Sequence, residues 1–347
     1  MKRLSRSVMG VLAVTVMLIV AACSSGGDEQ AGWVEDEVSF VADGLTIHGT
    51  YRHQSDATGP AGLLISESGP TDRNGDNAIV GPIGNMRQLA ELLSDNGLAS
   101  LRYDKVGTGK TGLGPYEEHK TDVGSAVYTA GAAAALRFLA DQPGTDKNRL
   151  SVYAIGEGTV HALSLAVGVV PEVPKVHSLG LFQPLAGRYL DIITGRVRKD
   201  ADAAVSGGAK TRQEADTVVA TWTAAVEEAR TKGTVPDKLP DGLSALLSPA
   251  NLKAVLDADA IDPLALAARV PAGTPVLVTC SDSDIQADCG SVRPLIDALQ
   301  HTDLTVVELK GVNHVLRDDP SDNVAAYVSK DPLSEQLTNA MDAFTSH

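Results

Sequence analysis

Runs rich in β-branched residues alternate along this chain with stretches of helical period. Two opening strands, 38–41 and 45–52, are predicted to form a hairpin, because Ala42-Asp43-Gly44 between them is a turn signal. Strands with apolar interiors that are separated by helices indicate a parallel sheet covered on both faces. The other predicted strands are 62–67, 99–103, 150–155, 176–182, 275–280 and 304–309, and the predicted helices are 83–96, 122–141, 157–169, 292–300 and 333–344.

One stretch breaks this alternation. Residues 200–262 contain no convincing strand, whereas residues 212–230 and 243–256 have helical spacing with polar faces. Ligands of open α/β sheets bind beyond the carboxyl ends of the strands, where such an insertion would form a cap. The predicted domains are therefore a core of residues 37–199 and 263–347 and a helical cap insertion of residues 200–262.

The amino-terminal residues 1–22 combine three basic residues with an apolar run, which is typical of a signal peptide. The run is short for a membrane span, which needs about 20 residues. Val20-Ala21-Ala22-Cys23 resembles the lipobox of bacterial lipoproteins, which implies cleavage before Cys23 and a diacylglyceryl thioether with acyl chains such as palmitate. An ordinary secretory signal with a chance cysteine is the alternative. Residues 23–36 would then be the lipidated cysteine and a flexible tether, and the protein would be extracytoplasmic, anchored to the bacterial cell membrane.

The net charge of the chain excludes some classes of binding partner. The formal net charge is −15, and loss of the three basic residues of the leader would make it −18. A polyanion of this kind does not attract nucleic acid or anionic lipid through its surface field. We therefore expect no nucleic-acid partner, and membrane attachment only through the lipid on Cys23.

Two further cysteines, Cys280 and Cys289, form an even pair once Cys23 is assigned to lipid. In an oxidising compartment a disulfide between them is plausible, and two free buried cysteines are the alternative.

Three positions at strand ends follow the order nucleophile, acid, base of a hydrolase triad. Gly156 lies between the predicted strand 150–155 and helix 157–169, where such an enzyme has G-x-S-x-G and this chain has A-I-G-E-G. Asp284 follows the strand 275–280, and His314 follows the strand 304–309. The acid and base positions are in register, but the serine is missing.

The chain also carries a set of motifs in a fixed order: Ser68-Gly69-Pro70-Thr71-Asp72-Arg73-Asn74-Gly75, Arg87-Gln88-Leu89-Ala90, Leu101-Arg102-Tyr103-Asp104-Lys105, Asp284-Ile285-Gln286 and Asn313-His314. With them it resembles bacterial esterase-type α/β-hydrolases of the serine aminopeptidase-like group. The resemblance covers nearly the whole chain after the leader. It implies an α/β-hydrolase fold, with an oxyanion hole formed by the Ser68-Gly69 segment and by the N–H of Glu157. The family has Gly-His-Ser-x-Gly-Gly at the nucleophile, so this chain departs from it at more than the serine alone.

Gly156 tolerates the strained backbone of such a turn, but it has no oxygen with which to attack a carbonyl. Three hydroxyls could serve as surrogates if the site were remodelled, those of Ser66, Ser68 and Thr159. Water activated by His314 is another route.

Other patterns predict no cofactor and no metal. Gly107-Thr108-Gly109-Lys110-Thr111 contains G-K-T, but Asp104 occupies the position where a phosphate loop requires glycine. The acidic stretch 72–77 lacks the spacing of a calcium loop. We expect Asp72 and Arg73 to brace the oxyanion segment through an internal ion pair.

Two functions remain open. We favour a non-hydrolytic pseudoenzyme that binds a small acyl, ester or peptide-like ligand or a partner protein. The alternative is a weak carboxylic-ester hydrolase that uses His314 with water or a surrogate hydroxyl.

Overall fold

The computed structural model describes residues 32–346, which fold around one eight-stranded sheet. The strands occur in the order β1-β2-β4-β3-β5-β6-β7-β8 across the sheet. Their bounds are Trp33–Ala42 (β1), Leu45–Gln54 (β2), Gly59–Ile65 (β3), Ala99–Tyr103 (β4), Thr145–Ile155 (β5), Ser178–Phe182 (β6), Pro275–Ser281 (β7) and Asp303–Leu309 (β8).

The sheet is mostly parallel, as predicted. β1 and β2 form the expected antiparallel hairpin, and β2 also runs antiparallel to β4. The other six strands, β3 to β8, are parallel to one another. Their carboxyl ends therefore meet at one edge of the sheet, where side chains that follow different strands can come together.

Helices cover both faces of the sheet. They are Asn85–Asp95 (α1), Ser125–Ala140 (α2), Gly158–Ala166 (α3), Tyr189–Ser206 (α4), Arg212–Lys232 (α5), Leu252–Asp259 (α6), Pro263–Ala267 (α7), Cys289–Ala298 (α8) and Glu335–Thr345 (α9). Apolar residues of α1 and α9 pack on one face with Leu64 and Tyr153. Those of α2, α3 and α8 pack on the other face with Leu63 and Val152. Neighbouring residues of one strand thus point to opposite layers, as the pleat requires.

The helices α4, α5 and α6 lie between β6 and β7 and share an apolar cluster of their own around Trp222. We call these three helices the cap. The sequence pattern placed the start of the cap at residue 200, but the cap begins at Tyr189. The helix α4 runs without a break across residue 200, since no glycine or proline lies between residues 196 and 206. The predicted helix at 243–256 is a short 3-10 turn, Leu243–Ala245, followed by α6.

Candidate functional site

The turn between β5 and α3 places Gly156 at the carboxyl edge of the sheet. Its φ is +52°, a left-handed conformation that glycine adopts at little cost. A Cβ on Gly158, two residues on, would lie 2.7 Å from the carbonyl oxygen of Ile65, so α3 packs directly against the end of β3. The backbone therefore has the strained strand-to-helix turn of a nucleophile elbow, with a hydrogen atom where the side chain would be.

Asp284 and His314 meet beside this turn. Nδ1 of His314 lies 2.7 Å from Oδ2 of Asp284, and both side chains are almost fully buried. The other oxygen of Asp284 accepts hydrogen bonds from the backbone N–H groups of Gln286 and Ala287. The acid is thereby fixed in place and orients the imidazole, as in an acid–histidine pair of a hydrolase.

The side chain of Glu67 occupies the place left by the missing serine. Its Oε2 lies 2.9 Å from Nε2 of His314, the nitrogen that faces the nucleophile in a triad. A Cβ built on Gly156 would lie 1.7 Å from this same oxygen, which is far inside contact distance. A serine at position 156 and the observed position of Glu67 are thus mutually exclusive.

The second oxygen of Glu67 fills the predicted oxyanion hole. Oε1 accepts hydrogen bonds from the backbone N–H of Ser68 at 2.7 Å and from that of Glu157 at 3.4 Å. These are two of the donors expected to hold a developing oxyanion. Gly69, the third predicted residue, donates no hydrogen bond to Glu67. It has a φ of +66° and its carbonyl accepts from the N–H of Thr71, so it shapes the loop.

The charges of the site are coupled. Burial alone would lower the pKa of His314, but its hydrogen bonds to Asp284 and Glu67 outweigh this and raise the pKa to about 10. Burial would raise the pKa of Glu67, yet the hydrogen bond and the charge of His314 bring it down to about 2. At neutral pH the site is therefore an imidazolium between two carboxylates, and His314 has no free lone pair with which to accept a proton.

A buried lysine adds positive charge behind Glu67. The ammonium group of Lys105 donates to the backbone carbonyl of Glu67 and lies 5.9 Å from the centre of the Tyr128 ring. Burial lowers the pKa of Lys105, while the nearby charges of Glu157 and Glu67 oppose that shift. Burial also raises the pKa of the Glu157 carboxyl. Lys105 thus fixes the main chain that carries Glu67.

None of the three hydroxyl groups considered as surrogate nucleophiles contacts His314, the residue at the position of the catalytic base. Ser66 donates to the carbonyl of Thr71, and Thr159 donates to that of Gly156. Ser68 is exposed on the loop. Both ring nitrogens of His314 are already hydrogen bonded to carboxylates, so none of these hydroxyls contacts the imidazole.

Two features hold the acid and base loops. The predicted disulfide is confirmed, since Cys280 at the end of β7 is bonded to Cys289 at the start of α8 with an S–S distance of 2.06 Å. Asp284 lies within the small loop that this bond closes. Asp322 accepts from the backbone N–H groups of His314 and Ile285 and thereby ties the two loops to each other.

The space between the elbow and the cap is small. A cavity of about 20 Å³ is lined by Glu157 and His161 on one side and by Tyr189 and Ile261 on the other. A water molecule needs about 10–15 Å³, so this space is too small for an acyl chain. A larger cavity of about 270 Å³ lies between α4 and the loop of Gln286.

The predicted ion pair between Asp72 and Arg73 is wrong. Arg73 instead pairs with Asp104 at 2.9 Å and with Glu37 at 3.1 Å, because its side chain turns toward β1 and β4. Asp72 accepts from the backbone N–H groups of Asn74 and Asp76 within its own turn. Arg73 still braces the loop that follows β3, but through partners on β1 and directly after β4.

The glycine-rich G-K-T loop wraps around a carboxylate of the chain itself. Asp104 accepts from the backbone N–H of Lys110 at 2.8 Å, and a Cβ on Gly109 would lie 2.3 Å from the Asp104 carboxyl carbon. Across residues 32–346 no group of metal-binding side chains comes together, and no helix is long and apolar enough to span a membrane. The predicted signal peptide and Cys23 lie outside the described residues.

Glu67 is the functional residue that sequence reasoning missed. The pattern placed it as the last residue of a strand, whereas β3 ends at Ile65 and Glu67 lies in the loop that follows. A signal was present, since an acidic residue stands directly before the Ser68-Gly69 segment, where a negative charge would face the oxyanion donors. His161, by contrast, is a buried residue of α3 that bonds Thr129, and burial lowers its pKa to about 3.

Solved structures with a similar fold include esterases and other α/β-hydrolases. The α/β-hydrolase GrgF from Penicillium sp. sh18 superposes with a TM-score of 0.55 at 15% identity, over 90% of this chain and 98% of that chain. The esterase Pf2001 from Pyrococcus furiosus gives 0.54 at 14% identity over 93% and 96%. Est1E from Butyrivibrio proteoclasticus, in a structure with ferulic acid bound, gives 0.56 at 15% identity over 89% and 98%.

No family model matches this sequence, and no curated protein matches it. At these identities the superpositions concern the fold alone. They confirm the predicted α/β-hydrolase fold.

Proposed function

We propose that this protein is a lipid-anchored, esterase-like scaffold that does not hydrolyse carboxylic esters and instead binds a ligand or a partner protein at the cell envelope. One observation carries the proposal. The Glu67 carboxylate takes both the place of the serine oxygen, beside His314, and the place of the oxyanion, beside the N–H groups of Ser68 and Glu157. A single side chain thus fills every position that acyl transfer needs.

The protonation of the site supports the same conclusion. Acyl transfer needs a neutral histidine that accepts a proton from the nucleophile. Here the pKa of His314 is raised to about 10, and its Nε2 faces a carboxylate. Direct activation of water by His314 would require Glu67 to leave the imidazole. The weak-hydrolase alternative therefore has no structural feature in its favour.

The test restores the serine at position 156 and removes the Glu67 carboxylate, first separately and then together. We expect the unmodified chain, Gly156→Ser and Glu67→Ala to hydrolyse p-nitrophenyl butyrate at the buffer rate and to resist labelling by a fluorophosphonate. Gly156→Ser alone stays inert, because its side chain and the Glu67 carboxylate cannot share the site. Glu67→Ala/Gly156→Ser frees the oxyanion donors and lets His314 act as a base. This double variant should gain labelling and hydrolysis at least about 100-fold above background, a small part of the roughly 10⁶ that a complete triad supplies.

Adding His314→Ala to the double variant should remove that gain, while the exposed Glu91→Ala serves as a neutral control. Ester turnover by the unmodified chain that is lost in His314→Ala would contradict the proposal.

A further inference from the structure

The helix α4 has two working faces. One face is buried in the apolar cluster of the cap around Trp222, and its residues are Leu190, Ile193 and Val197. The other face follows the spacing i, i+3, i+4, i+7 and lines the cavity of about 270 Å³, and its residues are Ile192, Gly195, Arg196 and Lys199. Residues 184–187 after β6 and residues of the segment 285–291 after β7 form the opposite wall. We call this cavity the α4 cleft.

Arg196 is a half-buried cation that makes no ion pair within residues 32–346. Its guanidinium group donates one hydrogen bond, at 3.2 Å, to the side-chain oxygen of Gln286. Arg188 and Arg230 are half-buried as well, but both pair with Asp259. A guanidinium group has five N–H donors, so Arg196 retains enough of them for the two parallel hydrogen bonds that bind a carboxylate.

Two carboxylates also line the α4 cleft, and each already has a cationic partner. Asp191 pairs with Arg230 at 2.8 Å, and Asp288 pairs with Lys199 at 3.2 Å. Neither is therefore available to compensate Arg196. Both would repel a second negative charge on a ligand more than they repel a single one. The α4 cleft thus suits a monoanion.

The apolar part of the α4 cleft is held in place by the fold. Ile285 is 68% exposed, and its backbone N–H donates to Asp322 within the loop that the bond between Cys280 and Cys289 closes. On the facing helix, a Cβ on Gly195 would meet nothing within 4 Å, so the lack of a side chain there leaves the cleft open. Pockets for drug-sized ligands measure roughly 300–1,000 Å³, so a cleft of about 270 Å³ suits a somewhat smaller molecule.

We propose that the α4 cleft binds a compact monocarboxylate, whose carboxylate pairs with Arg196 and whose apolar part lies against Ile192 and Ile285. The proposal goes beyond the function proposed above, because neither Glu67 nor His314 lines this cleft. It names a second site and the chemistry of its ligand, and it holds whether or not the first site hydrolyses esters.

Calorimetric titration of the unmodified chain with sodium octanoate tests the ligand class. Octanoate should bind saturably at one site per chain. 1-Octanol, which has the same chain without the charge, should bind at least about tenfold more weakly, because a hydrogen-bonded charge is lost. Octyl phosphate, a dianion at pH 8, should also bind more weakly than octanoate. No saturable binding of octanoate, or equal binding of either analogue, would overturn the proposal.

Variants on α4 test the position of the ligand. Arg196→Gln should weaken octanoate binding at least about tenfold, whereas Arg198→Gln at an exposed position of the same helix should leave it unchanged. Gly195→Leu should abolish binding, because its side chain would enter the cleft from a position with free space around Cβ. Unchanged affinity in Arg196→Gln or in Gly195→Leu would place octanoate elsewhere and refute the assignment.

A stability measurement separates binding from a structural role of Arg196. A half-buried cation without an acidic partner costs desolvation energy, so Arg196→Gln should not lower the melting temperature of the free protein. A lower melting temperature together with unchanged octanoate affinity would show that the side chain is structural and would overturn the proposal.

A diazirine analogue of octanoate locates the ligand directly. Its crosslinks should map to residues 184–199 and 285–291, and crosslinks confined to other segments would contradict the assignment. Ester hydrolysis measured on the same samples reports on Glu67 and His314 independently, so failure of one proposal does not imply failure of the other.

Discussion

Glu67 and His314 each change the protonation of the other, because they share a hydrogen bond and the imidazole is buried. The imidazole side chain is 4% exposed, and the carboxylate is held on its other oxygen by backbone N–H groups. Proton release from His314 would leave two carboxylates facing a neutral ring. The pair is therefore stable as ions although the imidazole is buried.

This coupling predicts how stability depends on pH. The pKa of His314 is about 10 in the folded protein and about 6.5 when unfolded. Its contribution to stability is therefore fully present below pH 6.5 and is lost as pH rises through 10. The loss should be on the order of a few kcal/mol, and urea unfolding between pH 6 and 10.5 measures it.

Glu67→Gln provides the matched control, since it keeps the size of the side chain and removes its charge. In this variant the decline should begin at lower pH and be smaller. Titration of His314 by ¹⁵N NMR gives a direct reading. A midpoint near 6.5 in the unmodified chain would show that Glu67 and His314 are not coupled.

At the scale of elements, the cap is fastened by one buried acid. The carboxylate of Asp259, at the end of α6, accepts two hydrogen bonds from the guanidinium group of Arg230 at 2.8 Å and one from that of Arg188 at 2.9 Å. It also accepts from the backbone N–H of Leu190 at the start of α4. The three helices of the cap thus converge on a side chain that is 1% exposed.

Asp259→Asn should therefore loosen the cap. The substitution leaves two guanidinium groups facing a neutral amide, and breaking a buried pair costs roughly 3–5 kcal/mol, less here because the arginines are partly solvated. Hydrogen exchange should rise over residues 189–259 before the sheet is affected. Asp202→Asn, which breaks an exposed pair with Arg212, should change stability by less than about 1 kcal/mol. Equal effects of the two variants would contradict this role for Asp259.

The sequence predicted those elements whose pattern is local. The strands of the sheet and the helices that pack on it have an apolar period of their own, so they could be identified without any contact between them. The helix α4 was not predicted, because its buried side is narrow and is defined by the apolar cluster that it shares with Trp222. The pairing of Arg73 was missed for a related reason, since its partners are distant in sequence, Glu37 on β1 and Asp104 directly after β4.

In the candidate site, too, the sequence predicted only the residues that a local pattern could place. Gly156, Asp284 and His314 could be placed by their order after successive strands. Glu67 could not, because its role depends on a side-chain direction. The loop after β3 turns its carboxylate toward the start of α3 and toward His314, and Lys105 holds the main chain at that residue. Neither effect leaves a period or a spacing in the sequence.

At the scale of the whole molecule, the described chain begins at the end of the sheet opposite the site. Trp33 pairs with Gln54, and β2 runs antiparallel to β4, so this end lies beside the amino ends of the parallel strands. Glu67 and His314 lie beyond the carboxyl ends. Cys23 and Trp33 are ten positions apart in the sequence, which spans at most about 33–36 Å. A lipid on Cys23 would thus be attached through the end of the sheet opposite the site.

The anchor itself is the last prediction. Once the leader is removed, the chain has a net charge of −18 and is repelled by anionic lipid, so its membrane attachment should depend on acyl chains alone and should resist high salt. Two acyl chains hold a protein stably, whereas one chain binds reversibly. In a host that processes lipoproteins, we expect the full chain to partition into Triton X-114 with and without 1 M NaCl. Cys23→Ala should move it to the aqueous phase, and Ser24→Ala should not. Detergent partitioning that persists in Cys23→Ala would remove the lipid anchor from the proposed function and leave the assignments at Glu67 intact.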